Sequence, residues 1–199
     1  VKDGLLRAMP SVAVVLEAIG SSESPSQAVS VTVQGAAPSQ SLTFSPKPET
    51  MVVDDELRPI PAGSGRVGRL ATRGRSPIGY YKDPDASSST FVEIDGERWT
   101  LPGDMASVDA DGVIHLLGRG SVCINTGGEK VYPEEVELLL REHPGVFDCL
   151  VVGVPDQRFG EIVVALVVPT ASAGADKEVL ATWCQGRLSG YKRPKRFLL

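Results

Sequence analysis

Short apolar runs, broken by clusters of Gly, Pro and Ser, follow one another along most of the chain, and the period of each run sets the element to expect. Residues 2–9 read as the last turns of a helix. Residues 11–16, apolar at nearly every position, read as a strand buried on both faces in the manner of a parallel sheet, and a polar loop over residues 18–25 follows directly. From residue 28 to residue 117 the pattern is β-rich, with runs at 29–33, 50–53 and 65–72 that predict a small barrel-like or sandwich subdomain. Within it residues 86–91 read as a short helix, while Asp95-Gly96 and residues 109–112 are hairpin turns.

The apolar run at 113–117 is interrupted by Gly118-Arg119-Gly120, so Arg119 and Ser121 stand at a joint that glycines make easy to rotate. Val122-Cys123-Ile124 is a second strand-like run, and Asn125-Thr126-Gly127-Gly128 reads as a loop whose glycines let a ligand approach the backbone. A helix then starts abruptly. Pro133 suits its first position, Glu134, Glu135 and Glu137 complement its positive end, and Val136, Leu139 and Leu140 share one face. Arg141 stands opposite Glu137 at i,i+4. Beyond residue 142 come a strand at 148–154, a loop at 155–161, a strand at 162–168, a small polar loop at 171–175, a helix at about 176–188 and a strand at 195–199. The expected fold class is α+β: a β-rich, barrel-like part within residues 1–118, then a small domain, residues 119–199, with a mainly antiparallel sheet.

Composition narrows the function classes. A chain of 199 residues that is 42% hydrophobic can bury one good core or two small ones. A net charge of −5 argues against a nucleic-acid partner, and the one basic cluster, residues 192–196, reads first as solvated surface. Cys123, Cys149 and Cys184 are widely spaced, with no CxxC and no paired His, which points to neither a disulfide framework nor a zinc site and suits a reducing cytoplasm. The longest apolar run, residues 162–168, is far short of the roughly 20 residues of a membrane helix, and no signal peptide opens the chain. A soluble protein is expected, and the first and last residues read as those of a piece of something longer.

The continuous stretch GRGSVCINTGGEKVYPEEVE, residues 118–137, resembles the domain-joining signature of the adenylate-forming superfamily: AMP-binding acyl-CoA synthetases, luciferases and nonribosomal adenylation domains. Its wording is most similar to bacterial fatty-acyl-CoA and steroid-side-chain-CoA ligases. The resemblance implies that residues 1–118 are the end of a large AMP-binding domain and residues 119–199 a mobile small domain, incomplete at its end. It implies activation of a carboxylic acid with ATP and Mg²⁺ to acyl-AMP, then transfer of the acyl group to CoA.

Site residues follow from the same likeness. Gly-Ser-Ser-Glu, at the carboxyl end of a strand, resembles an aromatic-Gly-x-Thr-Glu motif, with Ser22 toward the nucleotide phosphate and Glu23 toward Mg²⁺. Ile19 stands where many members carry a Tyr on adenine. Pro102-Gly103-Asp104 replaces the usual Thr-Gly-Asp and keeps the carboxylate that can accept from both ribose hydroxyls, though Gly-Asp is also an ordinary turn. Arg119 is implied to donate to the ribose, with a surface salt bridge as its plain alternative, and Ser121 to be the hinge. Gly128 leaves room for pantetheine, Lys130 meets a CoA phosphate, and residues 192–196 are weaker phosphate candidates. The Gly79-Tyr80-Tyr81 segment and the loop at 156–161 resemble family segments with structural roles. The family's phosphate-gripping loop and its near-terminal catalytic Lys have no match here, so no catalytic residue is assigned and the isolated chain is expected to be inactive. Two other classes stay open, a non-catalytic binding or interaction module of the same fold and an enzyme loading a carrier-protein thiol. Acyl preference and homo-oligomerisation are left open too.

Overall fold

The computed structural model describes residues 8–9, 11, 13–25, 27–33, 43–45, 47–171 and 175–199. The expected helix end at 2–9 and the loop at 171–175 lie largely outside the described residues. The chain divides into two compact units, Val1–Leu117 and Gly118–Leu199.

The first unit opens on an antiparallel ribbon of β1 (Val14–Ile19) and β2 (Ala28–Val33), in register from Val14↔Val33 to Ile19↔Ala28. This corrects the reading of a doubly buried strand in a parallel sheet. The connection over residues 20–27 is too short for a parallel crossover, so the chain must return antiparallel. Leu16 is 68% exposed, and of the six residues of β1 only Ile19 is buried.

A seven-stranded sheet follows, made of β3 (Thr43–Phe44), β4 (Thr50–Val53), β5 (Val67–Arg73), β6 (Phe91–Ile94), β7 (Glu97–Thr100), β8 (Asp104–Val108) and β9 (Ile114–Arg119). Its order is β3-β9-β8-β5-β7-β6, with β4 also on β5. Among the described residues nothing joins β6 back to β3, so the sheet is open where a barrel-like subdomain was expected. Strand β5 organises it: residues 67–69 pair with β8, residues 72–73 with β7, and residues 69–72 with β4. Alternation sends Val52 and Leu70 into a core with Ile114 and Phe44, and Val53 and Ala71 into another with Trp99 and Leu101. Gly68 is required here, because a Cβ would strike the Val53 carbonyl of β4. Helix α1 (Pro84–Thr90) starts where Asp83 accepts from the Ala86 amide at 2.9 Å.

The second unit holds a five-stranded sheet of β10 (Ile124–Thr126), β11 (Glu129–Val131), β12 (Val146–Asp156), β13 (Gly160–Pro169) and β14 (Arg196–Leu198). The order is β11-β10-β13-β12, and β14 adds parallel to β13, so the sheet is mainly antiparallel as expected. Helices α2 (Pro133–Arg141) and α3 (Lys177–Cys184) bury Val136, Leu140 and Leu180 against Val151, Val163 and Ala165. The last helix ends earlier than its pattern, because Gln185 turns extended and Gly186 takes φ +75°.

Strand β12 is an edge strand, and α2 satisfies part of that edge. Glu137, only 9% exposed, accepts from the Val151 amide at 2.9 Å and from Arg141 at 3.2 Å. Arg141 also donates to the Cys149 carbonyl at 3.0 Å and to Asp148 at 3.1 Å. Two side chains one helical turn apart thus replace a neighbouring strand's donor and acceptor. The sequence pattern shows Glu137 only as a helix-end charge. Glu137→Ala leaves a buried amide unpaired, and we expect it to lower the unfolding free energy by about 2 kcal/mol. Glu137→Gln, which keeps an acceptor, should lose less. Urea midpoints at unchanged slope are the measurement, and an unaltered midpoint for Glu137→Ala would contradict the edge-capping role.

Candidate functional site

In the first unit the turn between β1 and β2 carries Ser22 and Glu23. It is closed by two backbone bonds, Ser21 N–H to Ser24 O at 2.8 Å and Ser24 N–H to Ser21 O at 3.2 Å. Three further bonds pin it down. Thr72 on β5 donates to the Ser24 hydroxyl at 2.9 Å, the Gln27 amide donates to the Ile19 carbonyl at 2.8 Å, and Thr50 on β4 donates to the Gln27 carbonyl at 2.6 Å. Glu23 accepts from the Tyr80 hydroxyl at 2.7 Å. Ile19 packs into the core with Ala28, Phe44 and Leu70, so its side chain is spent on the fold.

Asp104 opens β8, buried, just after Gly103 at φ +100°. Its neighbour Met105 pairs with Arg69, three residues from the Thr72 that holds the Ser22–Glu23 turn. Both candidate elements are therefore anchored along β5 within about 10 Å of strand length.

Arg119, the last residue of β9 and past the boundary at Leu117, lies with Ser121, Gly128 and Lys130 in the second unit. Gly118 takes φ +115° beneath the Glu134 carboxylate, which a Cβ would strike. Arg119 follows in extended conformation, and Ser121 sits exposed in a 3₁₀ turn, Gly120–Val122. The expected strand at 122–124 is thereby corrected: Val122 belongs to the turn, and the buried alternation starts only at Ile124. The expected loop at 125–128 is corrected as well. Asn125 and Thr126 are in β10, Gly127 and Gly128 form a two-residue turn with φ of +60° and +87°, and β11 carries Lys130 opposite Asn125. Adjacent glycines between two short runs are the hairpin signal that could have found β11. A Cβ on Gly128 would meet open space, whereas Gly127 lies against the Phe159 ring.

The loop expected to pack within the small domain is what grips this hairpin. The Gly127 amide donates to the Phe159 carbonyl at 2.8 Å, the Asn125 amide to Glu161 at 2.7 Å, and Thr126 pairs with Gly160. Asp156 accepts from the Phe159 and Arg158 amides at 3.0 and 2.9 Å, and these bonds hold its carboxyl below the usual Asp range. The basic cluster divides on inspection. Lys192 is paired with both oxygens of Glu135 at 2.7 and 2.8 Å, and Arg193 donates to the Leu188 carbonyl at 2.9 Å, which leaves Lys195 and Arg196 as its exposed members. Among the described residues no group of three or more His, Cys, Asp or Glu side chains forms a metal cage.

Folding depresses the Asp156 pKa from an ordinary 3.8, so its contribution is complete above that value and lost as pH falls through the folded one. Protection of the Gly127 amide against hydrogen exchange should therefore drop in acid, and in Asp156→Ala it should already be low at about pH 6. Equal protection in wild type and Asp156→Ala would show that the carboxylate does not hold the hairpin.

Comparison with known proteins accords with this architecture. Residues 135–199 match the family model of the AMP-binding enzyme C-terminal domain. The chain is 45% identical over 195 residues to a 3-oxocholest-4-en-26-oate–CoA ligase of Rhodococcus rhodochrous, covering 98% of this chain and 35% of the relative. It is 44% identical over 202 residues to a medium/long-chain-fatty-acid–CoA/3-oxocholest-4-en-26-oate–CoA ligase of Mycolicibacterium smegmatis, covering 100% of this chain and 36% of that one. The crystal structure of ATP-bound MatB from Rhodopseudomonas palustris superposes with a TM-score of 0.74 at 30% identity, over 92% of this chain and 36% of that structure. The chain thus spans about a third of the length of the curated relatives it matches. Residues 135–199 thus match the AMP-binding enzyme C-terminal domain, and nearly the whole chain is similar to bacterial acyl-CoA ligases over about a third of their length.

Proposed function

We propose that these residues are part of an ATP-dependent acid–thiol ligase that acts on a fatty or steroid-side-chain carboxylate. The observation that carries this reading is the alignment of 98% of the chain, at 45% identity, with a ligase of that class. The substrate carboxylate attacks the α-phosphorus of ATP, giving acyl-AMP and pyrophosphate. The CoA thiol then attacks the acyl carbon, and AMP leaves with the bonding pair.

Each candidate residue has a part suited to its place. The Ser22 hydroxyl donates to a phosphate oxygen. Asp104, rigid at the start of β8, accepts from ribose hydroxyls, and Arg119 is a donor suited to a ribose oxygen. Glu23 is one carboxylate on a turn rich in hydroxyl oxygens, a donor set that suits Mg²⁺, which takes few protein ligands and completes its shell from phosphate and water. When bound, Mg²⁺ would offset the charge on the phosphates. In the second half-reaction the open face of Gly128 admits the pantetheine arm and exposed Lys130 meets a CoA phosphate. Lys195 and Arg196 are the members of the basic cluster that support this. The turn at Ser121 is the hinge between the two half-reactions. The ligase names of the relatives favour CoA over a carrier-protein thiol as acceptor. No helix among the described residues is long and apolar enough to cross a membrane, and three free thiols suit a reducing cytoplasm.

The test is CoA-dependent release of AMP from ATP, with a panel of medium- and long-chain fatty acids and 3-oxocholest-4-en-26-oate, by the full-length protein. The 199-residue chain alone should release none. Lys130→Ala in the full-length protein should raise KM for CoA about tenfold and leave pyrophosphate release unchanged. A full-length protein that forms no AMP with any of these acids would sink the assignment.

A further inference from the structure

The segment around Gly79 and Tyr80 resembles a family segment with a structural role, yet it delivers one functional group to the candidate site. The Tyr80 hydroxyl donates to Glu23 Oε1 at 2.7 Å, across 57 positions of sequence. The rest of Tyr80 is held in place. Its backbone amide donates to Ser87 Oγ on α1 at 2.8 Å, and Ser87 Oγ donates to the Asp83 carbonyl at 2.6 Å. The ring packs against Phe91 with centroids 5.6 Å apart, and Gly79 leaves no room for a Cβ beside the Ser87 hydroxyl. The acceptor side is equally fixed, since the Glu23 turn is pinned by Thr72 to β5. A phenol anchored on α1 thus meets a carboxylate anchored on the β1–β2 turn.

The geometry points to Tyr80 as a positioning residue for Glu23: it fixes the carboxylate in one orientation, ready for a hydrated divalent cation that arrives with nucleotide phosphates. This rests on the reading of Glu23 as the cation's carboxylate. The physical reason is general. Mg²⁺ tolerates little departure from octahedral geometry, so a carboxylate with free rotamers binds it poorly, and a hydrogen bond from behind removes that freedom. Tyr80 is 38% exposed, and the packing of its ring on Phe91 is a contact that a phenylalanine in its place keeps.

The experiment uses Mn²⁺ as the probe, titrated with ATP present into the full-length protein and followed by the change in its EPR spectrum relative to the same Mn²⁺–ATP mixture without protein. Wild type, Tyr80→Phe, Glu23→Gln and the double variant are compared, with thermal midpoints measured in parallel. Tyr80→Phe keeps the ring and should keep the midpoint while weakening Mn²⁺ binding about tenfold. Glu23→Gln should weaken it at least as much, and the double variant no further than Glu23→Gln alone. Wild-type affinity in Tyr80→Phe, or further weakening in the double variant, overturns the positioning role while leaving Glu23 as the cation's carboxylate. Wild-type affinity in Glu23→Gln, or a wild type that binds no Mn²⁺ with ATP, overturns both.

Discussion

Short connections leave this chain little choice but to pair antiparallel, and three candidate residues, Ser22, Glu23 and Gly128, sit at the resulting reversals. The Ser22–Glu23 turn closes β1 onto β2 and Gly127-Gly128 fold β10 onto β11, whereas Asp104 begins a strand that continues along β5 in the same direction as β7. A reversal exposes backbone and polar side chains while the strands beside it are buried, so a fold of this kind presents polar chemistry where it bends. What distinguishes these turns from ordinary surface loops is that each is tied to a longer strand. Thr72 on β5 holds the first, and the loop entering β13 holds the glycine hairpin.

Charge is distributed by the same logic. Glu137 and Arg141 meet the open edge of β12, Lys192 is spent on Glu135, and Asp156 on two amides of its own loop. Of these, only Lys192 reads as a ligand candidate in the sequence, and all four serve as fasteners. Exposed Lys130, by contrast, stands on a two-strand hairpin two residues beyond its turn, where a long cation can reach a ligand without unmaking a structural contact.

The sequence was most legible where the signal is local. The turn at Asp95-Gly96 lies where the dipeptide demands it, with φ of +51° and +77°, the strand at Thr50–Val53 has the bounds its pattern predicts, and α2 begins on Pro133. The likeness to acyl-CoA ligases was legible too, because the signature that carries it is one continuous run. Misreadings came where the outcome depends on a distant partner. An apolar run at 11–16 cannot say which strand it will meet, and a Glu at position 137 cannot announce that Val151 needs an acceptor. For the candidate site the residue types could be named from resemblance, whereas the bonds that aim them, Tyr80 to Glu23 above all, join segments with no local signature in common.

The ligase proposed for the full-length protein works through an acyl-adenylate and then a thioester. A single turnover of the full-length protein, with ATP, Mg²⁺ and a fatty acid or 3-oxocholest-4-en-26-oate, followed by mass spectrometry of the quenched products, tests it most directly. Acyl-AMP should accumulate while CoA is withheld and be converted to acyl-CoA and AMP when CoA is added. Acyl-AMP that never forms, or that forms and does not respond to CoA, would contradict this mechanism.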